Sequence, residues 1–311
     1  MKHVSYFDDF LKNTVNINQS RLDSLDTSLT SIKKFIRNSD YGTPIRFFSD
    51  QGSLAHKTII KPLPNKPYDA DILAIVKENK DWEPRDYLLD LKRVFRKNFT
   101  YKDKARLSEV CLTLEYSGDK RIDITPLLEV DSEDDKYHIC HNGQNSLIRT
   151  EPIQFTDWLI KKNKLSRNNT FRKVTRLLKY LRDYKGTFSC PSVLLTVIIG
   201  HRITEDDQDS EAFSDVPTAL KTIMNRLNDH LSWCLTRPIV KNPSLDAEDL
   251  GKLWTEDQFS NFKSCISRYN TWIDDAYYEE DHNESQKNGG RSSVIHSQRG
   301  RIYRVRLPVP L

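Results

Sequence analysis

The sequence predicts an α+β protein, and three observations carry that prediction. Two short β-forming runs bear carboxylates, Asp69-Ala-Asp-Ile-Leu-Ala-Ile-Val76 and Arg121-Ile-Asp-Ile-Thr-Pro126. Both are too short for helices and rich in β-branched residues. From Glu151 onward the apolar residues fall at spacings of three and four, so the second half is helical. The glycine-rich GxGxxG turn of a dinucleotide-binding fold is absent, so a mostly antiparallel or mixed sheet is expected.

The elements follow in order. Phe7, Phe10 and Leu11, then Leu22, Leu25, Leu29, Ile32 and Ile36, predict a long N-terminal helix broken near Asn13 to Asn18. Ile45 to Ser49 is an extended segment ended by Gly52-Ser53, and a Pro-broken loop, Lys61 to Pro67, follows. Glu83-Pro84 opens a helix carrying Tyr87, Leu88, Leu91, Val94 and Phe95. Glu109 to Tyr116 is β-rich and turns at Gly118 into Arg121 to Thr125, which makes a hairpin.

In the second half, Phe155, Trp158 and Leu159 lead one helix. Phe171, Val174, Leu177, Leu178 and Leu181 form an amphipathic one, with Arg172, Lys173, Arg176, Lys179 and Arg182 on other faces. Ser192 to Ile199, apolar almost all round, reads as a buried helix. The acidic stretch Glu205 to Asp215 reads as a solvated loop. Ala219 to Leu235 and Asp257 to Tyr277 read as helices, with a loop at Arg237 to Pro243 between them.

Composition bounds the function. The chain has 311 residues, 37% hydrophobic and 30% charged, which describes a globular protein with a charged surface. The net charge of +4 is too mild to make nucleic acid an obligatory partner. No cleavable signal opens the chain, and the longest apolar run, Val193 to Ile199, is far short of a membrane span. The five Cys, at 111, 140, 190, 234 and 265, are scattered without a CxxC pair and suit a reducing cytosol. His138-Ile-Cys-His141 offers three candidate zinc ligands with no matching distant group.

The chemistry is expected around Gln51 to Asp71. A small-residue turn such as Gly52-Ser53 lets backbone N–H groups approach a phosphate, and the Ser hydroxyl adds a hydrogen bond. Residues two apart in a strand share a face, so Asp69 and Asp71 present two carboxylates side by side. Such a pair calls for a compensating cation. With Asp123 on a second strand, the three acids beside a phosphate-binding turn make a two-Mg²⁺ site for phosphoryl or nucleotidyl transfer plausible.

Gly52-Ser53, Asp69-x-Asp71 and a later single Asp, in this order, resemble the nucleotidyltransferase superfamily of DNA polymerase β. Within it the chain resembles the bacterial cyclic-oligonucleotide synthases (CD-NTases) related to cyclic GMP-AMP synthase and oligoadenylate synthase. That narrower likeness rests on the catalytic strands, on Asn169 to Arg182, on Pro191-Ser-Val-Leu-Leu195 and on Ile239 to Leu250, and covers about residues 1 to 285. It implies a polymerase β-like nucleotidyltransferase sheet with helices plus a C-terminal helical lobe, bi-lobed with a central cleft. The expected divisions are 1–40, a bracing N-terminal helix; 41–150, the catalytic core; 151–287, the helical lobe; and 288–311, a loose tail carrying Arg291, Arg299, Arg301, Arg304 and Arg306.

Carried over residue by residue, the resemblance implies that Gly52 and Ser53 hold the donor triphosphate. It implies that Asp69 and Asp71 bind both Mg²⁺ ions, for which Mn²⁺ can substitute, and that Asp123 completes the site and helps deprotonate the acceptor hydroxyl. Lys179 and Ser192 match triphosphate-contacting residues. Their alternatives are a solvated helix face for Lys179 and a helix cap for Ser192. Leu54 stands where an aromatic is frequent, and His56 where a small or basic residue is frequent; the mechanism needs no His there.

The implied reaction joins nucleoside triphosphates into a cyclic di- or trinucleotide with pyrophosphate release, with nucleic acid not required and no membrane, in the cytoplasm. The product would be a second messenger of anti-phage defence acting on a separate effector, with a regulatory protein partner for the enzyme. The competing reading is nucleotide transfer to an RNA end, a protein or a small molecule. A non-catalytic binding module is the third, disfavoured because all three acids are present.

Overall fold

The computed structural model describes residues 4–64, 66–130 and 136–278; the expected tail at 288–311 lies outside them. The chain divides into two compact units. One is Val15–Ile160 with Pro243–Asp246; the other takes the residues up to Thr14, Lys161–Asn242 and those from Ala247 on.

The first unit is built on a sheet. Its elements are α2 (Gln19–Arg37), which follows α1 (Val4–Phe10), then β1 (Ile45–Gln51), α3 (Gly52–Ala55), β2 (Tyr68–Lys77) and α4 (Pro84–Lys97). After these come β3 (Ala105–Leu107), β4 (Leu112–Glu115), β5 (Lys120–Glu129), β6 (Tyr137–His141), β7 (Ser146–Arg149) and α5 (Pro152–Leu165), which belongs to this unit as far as Ile160. Leu11–Val15 continues α1 as a π-helical turn, the predicted break falls at 16–18, and Asn18 restarts the helix by accepting the Arg21 N–H at 3.0 Å. The strand order is β1-β2-β5-β4-β3, with β6 on β5 and β7 on β6. Only the β2–β5 pairing is parallel among the described strands, so the sheet is mixed, as the sequence predicts.

The long strand β5 lies along β2 for its whole length, while its other edge is shared by β4 as far as Ile124 and by β6 from Leu127. Pro126, which has no N–H to give, sits in the gap between those two partners. Pleating separates the faces of β2. Tyr68, Ala70, Ile72 and Ala74 pack with Leu25, Leu29, Ile32 and Ile36 of α2 and with Leu91 and Phe95 of α4. On the opposite face Leu73 and Ile75 pack with Leu127, Tyr137 and Ile153. This second apolar layer stops short of Asp71, and the carboxylates occupy the face beyond it.

His138, Cys140 and His141 lie on β6, where alternation puts the first two on one face and His141 on the other. Cys140 packs with Val76, Tyr87, Leu88 and Leu128, and burial pushes its thiol up to about 12. The Nδ1 of His141 accepts the Gln144 N–H at 3.1 Å. Cys140 is therefore spent on packing and His141 on a turn.

The second unit contains α6 (Thr170–Lys185), α7 (Ser192–Gly200), α8 (Val216–Ser232) and α9 (Glu256–Tyr278), with α8 against α9. Leu194 to Gly200 of α7 are all buried. The loop expected after α8 contains a small hairpin, β8 (Lys241–Asn242) with β9 (Leu245–Asp249), whose strands are too short and polar to show a period.

The acidic stretch is solvated at Glu205, Asp206, Asp209 and Glu211, as read, and departs from that reading at two residues. Asp207 is 1% exposed and Phe213 is fully buried. The Arg226 guanidinium donates to both Asp207 oxygens, at 2.7 and 2.8 Å, and to the Arg202 carbonyl at 2.8 Å. Burial works to raise the Asp207 pKa, and the Arg226 and Thr204 hydrogen bonds outweigh it, so the carboxyl is held below its ordinary value. Arg226→Met leaves a buried carboxylate unpaired and is expected to cost about 3 kcal/mol in urea unfolding at pH 7. The native pair contributes fully above the ordinary carboxylate pKa and is lost as pH falls through the lowered one. The variant's stability should thus depend less on pH below about pH 4 than the wild type's.

Candidate active site

The turn after β1 is shaped by Gly52, whose φ of +67° is left-handed. A Cβ built there would overlap the Asp71 carboxylate, so glycine is required twice over, by conformation and by space. The turn then closes on itself. The His56 N–H donates to the Gly52 carbonyl at 3.1 Å, Lys57 to Leu54 at 3.0 Å and Thr58 to Ser53 at 2.8 Å. Ser53 is the second residue of this single helical turn, where backbone N–H groups lack intrahelical acceptors.

Strand register then sets a row of polar side chains across four strands. Gln51 of β1 faces Asp71 of β2, Asp71 faces Asp123 of β5, and Asp123 faces Thr113 of β4. The Thr113 hydroxyl donates to Asp123 Oδ1 at 2.5 Å, which fixes one carboxylate oxygen. Asp69 lies two residues before Asp71 on the same face, opposite Arg121, whose guanidinium is 3.5 Å from Glu115. The structure thus brings Gly52, Asp71 and Asp123 together, with Ser53 and Asp69 beside them. Among the described residues no three His, Cys, Asp or Glu side chains are grouped so as to hold a metal ion, so Asp69, Asp71 and Asp123 do not yet converge on one point.

The donor set nevertheless fits a hard divalent cation. All the donors are carboxylate oxygens, two of them on directly paired positions of strands about 5 Å apart, and Mg²⁺ is held by one or two carboxylates with water and substrate phosphate filling the rest.

Lys179 and Ser192 belong to the other unit, on α6 and at the start of α7. Lys179 is 5% exposed, which removes the solvated-face alternative. Ser192 is the first helical residue after the cap at Pro191, so it is not the cap. Its hydroxyl accepts from Arg182 Nη1 at 3.1 Å, and the same Nη1 donates to the Cys190 carbonyl at 2.7 Å.

Two residues of interest escaped the sequence reading. Thr113 could have been found by counting back from the Gly118 turn, since the hairpin register puts it opposite Asp123. Arg176 reads as one more polar-face cation, yet its Nε is buried with no hydrogen-bond partner among the described residues. Burial, with Arg172 close by, lowers its pKa. Arg172, Arg176 and Lys179 follow one another at helical spacing on α6, so three cations share a stripe.

The sequence profile of the Second Messenger Oligonucleotide or Dinucleotide Synthetase (SMODS) domain matches residues 1–163, just over half of the chain. The c-di-GMP synthase of Roseivirga ehrenbergii is 20% identical over 290 residues, spanning 83% of this chain and 76% of that one. In fold, the chain is similar to the Vibrio cholerae cyclic AMP-GMP synthase DncV, a prokaryotic cGAS homolog, with a TM-score of 0.73 and 15% identity over 93% of this chain and 94% of that one. It is likewise similar to CdnC of E. coli MS115-1, solved as a complex with HORMA-deltaN, with a TM-score of 0.71 and 18% identity over 92% and 95% of the two chains. The profile match takes in the Gly52 turn, both carboxylate strands and the sheet that sets their register, and the chain therefore belongs to the SMODS family and is a nucleotidyltransferase.

Proposed function

We propose that the protein joins nucleoside triphosphates into a cyclic di- or trinucleotide, releasing pyrophosphate, with two Mg²⁺ ions, for which Mn²⁺ substitutes. The observation that carries this reading is the contact of the Gly52 turn with Asp71, itself in register with Asp123. It puts a phosphate-binding turn against the carboxylates that would hold the ions.

Asp69, Asp71 and Asp123 would hold the metal. When bound, it supplies Lewis-acid stabilisation of the phosphate charge and lowers the pKa of the attacking hydroxyl. The Ser53 hydroxyl and the backbone N–H groups of the turn bind the donor's phosphates. A ribose hydroxyl of the acceptor forms the new bond to the α-phosphorus as the bond to pyrophosphate breaks, and Asp123 takes up the hydroxyl proton. Thr113 holds one Asp123 oxygen. A second such transfer closes the ring.

Lys179, Ser192 and Arg176 are assigned to phosphate binding within the helical unit, because a buried guanidinium with an orphaned N–H calls for an anion. Arg176→Met is expected to weaken nucleoside triphosphate binding on the order of tenfold, by the loss of one charge-assisted hydrogen bond. Titration calorimetry would show it, and unchanged affinity would remove Arg176 from the site.

The product is assigned to second-messenger signalling in cytoplasmic anti-phage defence, through a separate effector. CdnC, solved with its HORMA partner, supports adding a regulatory protein. No helix among the described residues is long and apolar enough to cross a membrane. The test is incubation with labelled ATP, GTP, CTP and UTP and Mg²⁺ or Mn²⁺, then phosphatase and mass analysis. A phosphatase-resistant product of cyclic mass, absent from the Asp69→Ala/Asp71→Ala double variant, is expected. Linear products alone would overturn ring closure and favour transfer to another acceptor.

A further inference from the structure

We infer that His56 is a positioning residue that fastens the phosphate-binding turn to α5, and so sets the protein's affinity for the donor triphosphate. The inference rests on the reading of Gly52-Ser53 as a triphosphate site. It starts from what the backbone leaves undone. The three hydrogen bonds closing residues 52–58 run within the turn; its near end is placed by the Gln51–Asp71 pairing and by Leu54 packed on the core, which leaves its far end, at His56, to be placed. Backbone N–H groups bind phosphate well only when held within a fraction of an ångström of the productive position. That far end is held from outside the turn.

His56 reaches outside. Its Nε2 lies 3.2 Å from Thr156 Oγ1, in the first turns of α5 and one hundred residues away in sequence. The direction of this bond can be deduced. The Thr156 hydroxyl donates its one hydrogen to the Pro152 carbonyl at 3.0 Å. Its oxygen is left to accept, so the His56 proton is on Nε2 and is donated to Thr156. The imidazole also packs against the Phe155 ring, with centroids 5.7 Å apart and planes at 53°. Phe155 is buried and its N–H is bonded to the Glu151 carbonyl, so the surface receiving His56 is fixed. The residue thus holds the turn by one directional bond and one ring contact, both on the same helix.

The role is separate from proton transfer. A histidine whose Nε2–H is committed to a structural hydroxyl holds geometry, which agrees with a mechanism that needs no histidine. A His is accommodated here because α5 offers the Thr156 acceptor and the Phe155 face.

The test uses the full chain with Mg²⁺ and inorganic tripolyphosphate, a probe independent of the base used, followed by calorimetry. His56→Phe keeps the ring on Phe155 and removes the donor, so tripolyphosphate binding should weaken about five- to tenfold. His56→Gln, whose amide nitrogen donates from a similar distance along the side chain, should restore most of it. Thr156→Val should weaken binding as His56→Phe does, and the double variant should be no weaker than either single one. Thermal melts of all variants are run alongside. A merely structural His56 would lower the melting temperature and leave the affinity of the folded protein untouched, and that result overturns the inference. So does a His56→Gln variant that binds as poorly as His56→Phe. Ser53→Ala separates the two levels of the argument: if it weakens tripolyphosphate binding and the His56 variants do not, the positioning role alone fails; if it changes nothing, the turn is not a phosphate site and both readings fail.

Discussion

Gly52→Ala is expected to abolish nucleotidyl transfer while leaving the protein folded. The substitution meets two obstacles of different kinds. Gly52 has a φ of +67°, and an L-residue there is strained by about 1–2 kcal/mol. The new methyl group would also overlap the Asp71 carboxylate. The atom that must yield is the end of a short side chain, not backbone, so the overlap is relieved by rotating Asp71. For stability that is a small adjustment. For catalysis it is severe, because the rotated carboxylate belongs to the row that would hold the metal. Loss of a few kcal/mol of transition-state stabilisation corresponds to a rate loss of roughly 1000-fold. The outcome to look for is a melting temperature within a few degrees of wild type with no detectable product. A variant that retains a tenth of the wild-type turnover would show that Asp71 is not held in its working position by this contact.

How far the sequence discloses this site depends on the kind of interaction. Asp69, Asp71 and Asp123 are legible because a strand has a period of two, and acids at its polar positions stand out against Ile72 to Val76. The alignment of Asp71 with Asp123 is not legible in the same way, since the parallel pairing of β2 and β5 is a long-range choice. Thr113 lies between these cases, readable by counting from the Gly118 turn. The burial of Lys179 could not be read from α6, whose charged residues occupy several faces and give the same pattern whether one face is solvated or covered. Asp207 was hidden by composition. Six acids between Glu205 and Asp215 suggest solvation, and nothing local reveals that Arg226 of a later helix pairs with one of them. His56 is of the same type, because its partner Thr156 is defined only by the fold. In general, local periodicity marks which residues are available, and tertiary pairing decides which are used.

Asp123→Asn separates catalysis from stability more sharply than any other substitution in the sheet. The amide keeps an oxygen for the Thr113 hydroxyl, so the cross-strand bond at 2.5 Å retains its acceptor. What is lost is one negative charge directly across from Asp71. Like charges at paired strand positions destabilise a sheet by about 0.2–1 kcal/mol. The metal-free variant should therefore melt at or slightly above the wild-type temperature, even as turnover falls about 1000-fold through loss of the group that takes up the acceptor proton. Divalent metal reverses the comparison. A ligand at 100 times its Kd stabilises the native state by about 2.7 kcal/mol, so saturating Mn²⁺ should raise the wild-type melting temperature clearly and the variant's much less. Thr113→Val provides the intermediate case: it keeps all three carboxylates and frees the Asp123 oxygen from its hydroxyl, so Mn²⁺ affinity should drop on the order of tenfold. If Asp123→Asn lowers the metal-free melting temperature by several degrees, the carboxylate is held by the protein's own donors. The row from Gln51 to Thr113 would then be structural, because charges placed for a metal gain their stabilisation only when the metal arrives.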